Sequence, residues 1–386
     1  MGLLLTEDEV MLRDTAEGFF AEKAPVKALR ALRDERDETG FDRGLWQEMA
    51  EMGFTGVVIE EDHGGVDMGF MAAGLIAEQM GRNLSASPFL STAILAATAL
   101  REGGSDEQKS KWLPKIAGGE AIMAMAIDEG AKHNPKATSA RAEKSGNGFK
   151  LNGHKAMVVD GHVADALIVA ARTSGDEGDA DGISLFIVDP KTKGVSTERT
   201  IMVDSRNAAR IDLDDVEVSG DALLGSLDDG MAVLGKVLNA GRAAVAAELL
   251  GAGSQAFDST VAYIKERKQF GKIIGEFQAL QHRASHLYAE IENARSAVMA
   301  ALTALDDKDP KAEIICSMAK AKLGSVAKLA SQEGVQMHGG VGMTDEYDIG
   351  LFMKRIRVLQ ELFGDCLLYT SPSPRDATLS RMPSSA

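Results

Sequence analysis

The sequence predicts an α+β chain of three domains: an all-α domain over residues 1–120, a small central β-barrel or sandwich over 121–222, and an α-helical bundle over 226–365. Three observations predict it. Helical periodicity fills the first stretch as far as "KWLPKIAGGE". From Ala121 to about Gly220 the period shortens to strand-like runs punctuated by Gly, Asn and Asp. After "ALLGSLDDG" a helical period returns and persists to Asp365 in long segments.

In chain order, Thr6 and Glu9 carry the capping-box spacing that opens the helix "TEDEVMLRDTAEGFFAEKA". Helical patterns continue through "DRGLWQEMAEMG", "GFMAAGLIAEQMGR" and "STAILAATALREGG", separated by loops such as "EEDHGGVDMG". The expected strands are "AIMAMAI", "ATSARAE", "FKLNG", "KAMVVDG", "ADALIVAART", "ISLFIVD" and "ARIDLDDVEV". Between two of them "SGNG" supplies glycines where a tight hairpin needs a left-handed backbone. Long helices follow, among them "MAVLGKVLNAGRAAVAAELLGAGSQAFDSTVAYIKERKQF".

Composition bounds the function. At 386 residues and 45% hydrophobic content the chain can bury a large core. Its formal net charge of −16 argues against nucleic acid or an anionic membrane as partner, since both need a concentrated basic surface. No apolar run approaches the roughly 20 residues that span a bilayer. "MGLLLTEDEV" turns acidic too soon for a secretory signal. Two cysteines, Cys316 and Cys366, make no disulfide framework, so a reducing cytoplasm is the expected location. Forty Gly with abundant Ala point to close helix packing.

Five stretches, in order, resemble the acyl-CoA dehydrogenase family: "GGSDEQKSKWLPKIAGGE", "LNGHKAMVVDGHVADALIVAART", "IDLDDVEVSGDALLG", "ERKQFGKIIGEFQALQHRASHLYAEIENAR" and "QMHGGVGMTDEY". The resemblance runs from about Leu3 to Asp365 and implies an FAD enzyme of lipid metabolism that removes two hydrogens from an acyl-CoA thioester. A Glu takes the α-proton, the β-hydride goes to flavin N5, and an electron-transferring flavoprotein reoxidises the cofactor. Arg267, Phe270 and Gln278 match positions that contact the FAD of a neighbouring subunit in that family, and Gln336, Gly339 and Gly340 match a second such element. An Arg suits pyrophosphate because its planar fork bonds two oxygens at once. A dimer or tetramer, homomeric or mixed, is therefore implied. On the β side Glu129 alone survives from one flavin motif, and Met157, Val158 and Val159 stand where the family has Trp, Ile and Thr beside the ring.

The proton-abstracting Glu is missing from both of its familiar places. "ELFGD" puts Phe363 at one, and Gly241, before Arg242 in "NAGR", occupies the other. Glu361 is two residues from the first and would point elsewhere on a helix. Glu248 lies seven residues after Gly241, two turns along and on much the same face of a helix otherwise uncharged nearby. It is either a base with a carboxyl raised toward neutrality by burial, or a Glu locked to an Arg across a helix interface. Arg242 is either a group that orients substrate or base, or a packing residue.

Two functions stay open. One is α,β-dehydrogenation of an acyl-CoA using Glu248; the other is a non-catalytic or flavin-lending partner subunit of a heteromeric acyl-CoA dehydrogenase. His282 and His286, one turn apart, lack a third ligand for a metal, and His63 and His133 lie in loops without an evident partner. The last segment, Cys366 to Ala386, reads like translated sequencing-adapter DNA and is expected to be foreign and disordered, in place of a short native C-terminus.

Overall fold

The computed structural model describes residues 4–364; the adapter-like tail lies outside them. Helix α1, Glu7–Lys23, opens on the expected capping box: the Glu9 amide donates to the Thr6 hydroxyl at 3.2 Å and the Thr6 amide to the Glu9 carboxylate at 2.7 Å. Helices α2, Val26–Glu35, α3, Arg43–Glu51, and α4, Gly69–Asn83, follow. A fully buried π-helical segment, Phe89–Ala96, runs into α5, Ala97–Gly103, and α6, Asp106–Ala117, completes the N-terminal helices.

Eight strands follow: β1 Met123–Ala126, β2 Arg141–Ser145, β3 Gly148–Val159, β4 Ala166–Arg172, β5 Ile183–Val188, β6 Val195–Ile201, β7 Asn207–Ser219 and β8 Leu223–Leu224. They lie in one sheet in the order β6-β7-β3-β2-β4-β5-β8, with β1 also paired to β4. The expected barrel does not close: among the described residues the terminal strands β6 and β8 do not pair, and the sheet stays open. "SGNG" forms the β2–β3 hairpin, with Ser145 opposite Gly148 and Gly146 at φ 56°. The runs "FKLNG" and "KAMVVDG" are a single strand, β3, whose register shifts between Lys155 and Val158, where Met157 takes φ 53°. Strand β6, "VSTERTI", escaped the sequence reading because it is an edge strand facing water and shows no apolar alternation.

The C-terminal part is built on α7, Gly230–Glu266, whose 37 residues span roughly 55 Å. A short hairpin, β9 Lys268–Gln269 and β10 Lys272–Ile273, leads to α8, Gln278–Asp306, α9, Ala312–His338, and α10, Ile349–Glu361. Helix α7 packs on α8, α9 and α10 and also on α4. The α4–α7 crossing is a backbone contact. A Cβ on Gly251 would stand 1.8 Å from the Glu78 carbonyl oxygen, and one on Gly81 would stand 2.1 Å from that of Glu248. One apolar core therefore runs through both helical parts, and the sheet keeps a smaller core of its own around Leu151, Leu167, Phe186 and Ile211. Among the described residues no helix is long and apolar enough to cross a membrane.

Candidate functional site

Where the sheet meets the C-terminal helices there is a cavity of about 340 Å³. The π-helical segment contributes Ser91 and Leu95, the bend of β3 contributes Met157 and Val159, and the β6–β7 turn contributes Met202 and Val203. The loop after β1 closes it with Asp128 and His133, and the end of α10 with Leu362 and Phe363. Most of that wall is apolar, as an acyl group requires.

Both positions at which the family resemblance implies a Glu lie together beside this cavity. A Cβ on Gly241 would meet the Phe363 ring at 3.0 Å and Leu95 at 2.8 Å. The missing side chain at one position thus makes room for the aromatic ring at the other. An apolar pair stands where the resemblance implies a carboxylate.

Glu248 is absent from the cavity wall. It is buried in an ionic cluster: Arg206 donates to it at 2.9 and 3.3 Å, and Arg355 at 3.1 Å. Arg355 also donates to Asp204 at 2.6 Å and toward the carbonyls of Leu84 and Ser85 at the end of α4. This is the ion-paired arrangement left open above, with partners from the β6–β7 turn and α10. All three domains meet at this cluster. Burial alone would penalise the Arg206 charge, but Glu248, Asp204 and Asp160 outweigh it and hold the guanidinium above its ordinary value. Asp160 accepts from the Ser91 hydroxyl at 2.6 Å, and burial pushes its carboxyl up to about 6 despite that bond and Arg206.

Arg242 is buried on α7 and donates to the Phe363 carbonyl at 3.3 Å, so it bears on the turn that ends α10. Val159 lines the cavity, whereas Val158 turns into the core of the sheet, as strand alternation requires. Glu129 pairs with buried Lys155 at 2.6 Å and accepts from the amides of Ser139 and Ala140, which ties its loop to the sheet.

The remaining candidates gather elsewhere. Arg267 ends α7, Phe270 stands 89% exposed in the β9–β10 turn, and Gln278 begins α8. Gln336, Gly339 and Gly340 sit exposed at the end of α9. The two groups adjoin, because the Tyr263 ring stacks on His338 with centroids 4.3 Å apart. A Cβ on Gly339 or Gly340 would meet nothing within 4 Å, so an open backbone cradle lies beside an Arg fork and an outward aromatic ring.

The sequence reading left His133 without a partner, whereas its Nδ1 lies 2.7 Å from the Asp128 carboxylate. The signal available was the spacing of Asp128 and His133 across the turn-rich "DEGAKHNP". It also missed Asp204, Arg206 and Arg355, which look like ordinary surface charges in the sequence.

With the geometry in place, the comparisons decide the family. The acyl-CoA dehydrogenase N-terminal domain matches residues 6–120, the middle domain 124–216 and the C-terminal domain 228–365. The chain belongs to the acyl-CoA dehydrogenase family. It is similar to a 3-(aryl)acrylate reductase of Clostridium sporogenes, 32% identical over 92% of this chain and 95% of that protein. A caffeyl-CoA reductase–Etf complex subunit, CarC of Acetobacterium woodii, is 31% identical over 95% of each chain. The solved butyryl-CoA dehydrogenase of Megasphaera elsdenii superposes with a TM-score of 0.87 at 26% identity, covering 99% of this chain and 100% of that one. As an acyl-CoA dehydrogenase the chain is an FAD-dependent flavoprotein oxidoreductase. Arg267, Phe270 and the Gly339–Gly340 cradle fit that cofactor.

Proposed function

We propose that this acyl-CoA dehydrogenase oxidises a saturated acyl-CoA to the trans-2-enoyl thioester, or runs the same step in reverse, with the acyl carbons in the cavity between β3 and α10. The apolar wall of that cavity, lying against the bend of β3, carries the reading. Bound FAD supplies the acceptor for the β-hydride. The chain's own residues do the rest. Met125, Met157, Val159 and Met202 exclude water, and the unbranched methionines suit an acyl group of irregular shape. Arg267, Phe270, Gln278, Gln336, Gly339 and Gly340 are the groups that would hold FAD from a neighbouring subunit. An electron-transferring flavoprotein is the proposed redox partner, in line with the Etf complex to which the CarC subunit belongs.

A second reading has its own support. The Phe363–Gly241 pair and the ion-paired Glu248 remove the carboxylates expected for turnover, while the flavin-lending surface is intact. On that reading the chain is the partner subunit of a heteromeric acyl-CoA dehydrogenase. An absorption spectrum of the protein purified alone, followed by anaerobic addition of acyl-CoA, separates the two. A yellow protein that bleaches supports oxidation by this chain. Colour acquired only on co-expression with a second subunit supports the partner role.

A further inference from the structure

We infer that His133, oriented by Asp128, is the proton acceptor at the thioester α-carbon, in place of the missing glutamate. This rests on the oxidising reading above. Four ionisable side chains line the cavity among the described residues: Asp128, His133, Arg357 and Glu361. Arg357 and Glu361 are exposed at its edge and satisfy each other at 2.8 Å. Asp128 is engaged twice, by His133 at 2.7 Å and by the Asn134 amide at 3.0 Å. That leaves the imidazole. Its side chain is only 3% exposed, and no described group bonds to Nε2. A buried ring nitrogen without a partner is costly unless a ligand supplies one.

Geometry defines the role. An ionised carboxylate can only accept, so Asp128 fixes the proton on Nδ1 and leaves a lone pair on Nε2. The imidazole stands edge-on to the Phe363 ring, with centroids 6.2 Å apart and planes at 83°. It therefore adjoins the position at which the family resemblance implies a Glu. The anchoring is firm, because the Ala156 amide of β3 donates to the Asp128 carbonyl at 2.7 Å. In the oxidative direction the Cα–H bond breaks, its proton goes to Nε2 and its electron pair forms the enolate. Bound FAD would supply the acceptor for the Cβ hydride, so that the thioester would lose two electrons and the cofactor would gain them. In reverse, the same imidazolium returns the proton to Cα.

Deuterium exchange at Cα tests His133 together with flavin reduction. Wild type, His133→Gln and Asp128→Asn are incubated in D2O with straight-chain, branched and 3-arylpropionyl-CoA thioesters, and label is read by mass spectrometry. Wild type incorporates deuterium and reduces flavin. His133→Gln loses both by about 10²-fold or more while still binding the thioester and retaining its flavin. Nitrogen-15 shifts of the histidine ring in wild type show Nδ1 protonated and Nε2 bare, and Asp128→Asn mixes the tautomers. Exchange by His133→Gln within threefold of wild type overturns the assignment while leaving the oxidising reading intact. A wild type that neither exchanges nor reduces flavin with any of these thioesters overturns the reading itself, and the assignment with it. A bare Nδ1 in the wild-type spectrum also overturns it.

Discussion

Replacing Glu248 by Gln separates a domain lock from a catalytic base. In the buried cluster, Asp204 and Glu248 face Arg206 and Arg355, two negative charges against two positive. Gln keeps the volume and one acceptor oxygen, so little packing is lost. It removes the charge to which three guanidinium contacts of 2.9, 3.1 and 3.3 Å are made, and turns an amide N–H toward a cation. Breaking a buried pair by removing one partner typically costs about 3–5 kcal/mol, because the surviving charge stays desolvated. Arg355 and Arg206 cannot swing into water, since both are almost fully buried. The assay is denaturant unfolding at neutral pH, with Glu102→Gln as control. Lys236, the partner of Glu102, is 62% exposed, and loss of that surface pair is expected to change stability by less than about 1 kcal/mol. Refutation is clear-cut: a Glu248→Gln protein as stable as the wild type but devoid of turnover would make Glu248 the base and dissolve the lock.

Other outcomes follow from the same packing. Gly251→Ala drives a Cβ into the Glu78 carbonyl of α4 and is expected to cost about 1–3 kcal/mol, read by unfolding. Asp160→Asn probes the raised carboxyl. Its value of about 6 in the fold exceeds that of the unfolded chain, so the folded state holds the extra proton and this group's contribution falls as pH rises from about 4 through 6. Asparagine tolerates the φ of 57° at this site, so the variant should gain roughly 2–3 kcal/mol relative to wild type between those limits, seen as melting curves that diverge with pH. Phe270→Ala and Arg267→Ala, both at exposed positions, should lower flavin retention after gel filtration with less than about 0.5 kcal/mol change in stability.

Local patterns in the sequence determined what depends on near neighbours. The Thr6–Glu9 cap, the "SGNG" hairpin and the change of period from helix to strand and back each involve residues only a few positions apart, and all are present. Order of motifs along the chain determined the family in the same way. Where a property depended on strand closure or edge position, the sequence fell short: the sheet is open, and polar β6 was invisible because an edge strand need not alternate. Tertiary structure alone decided the site. Glu248 finds its partners 42 and 107 residues away, and Gly241 meets Phe363 across two helices. A carboxylate in an apolar run looks like a base until the charges that neutralise it arrive from elsewhere in the chain, and those charges are placed by packing rather than by spacing.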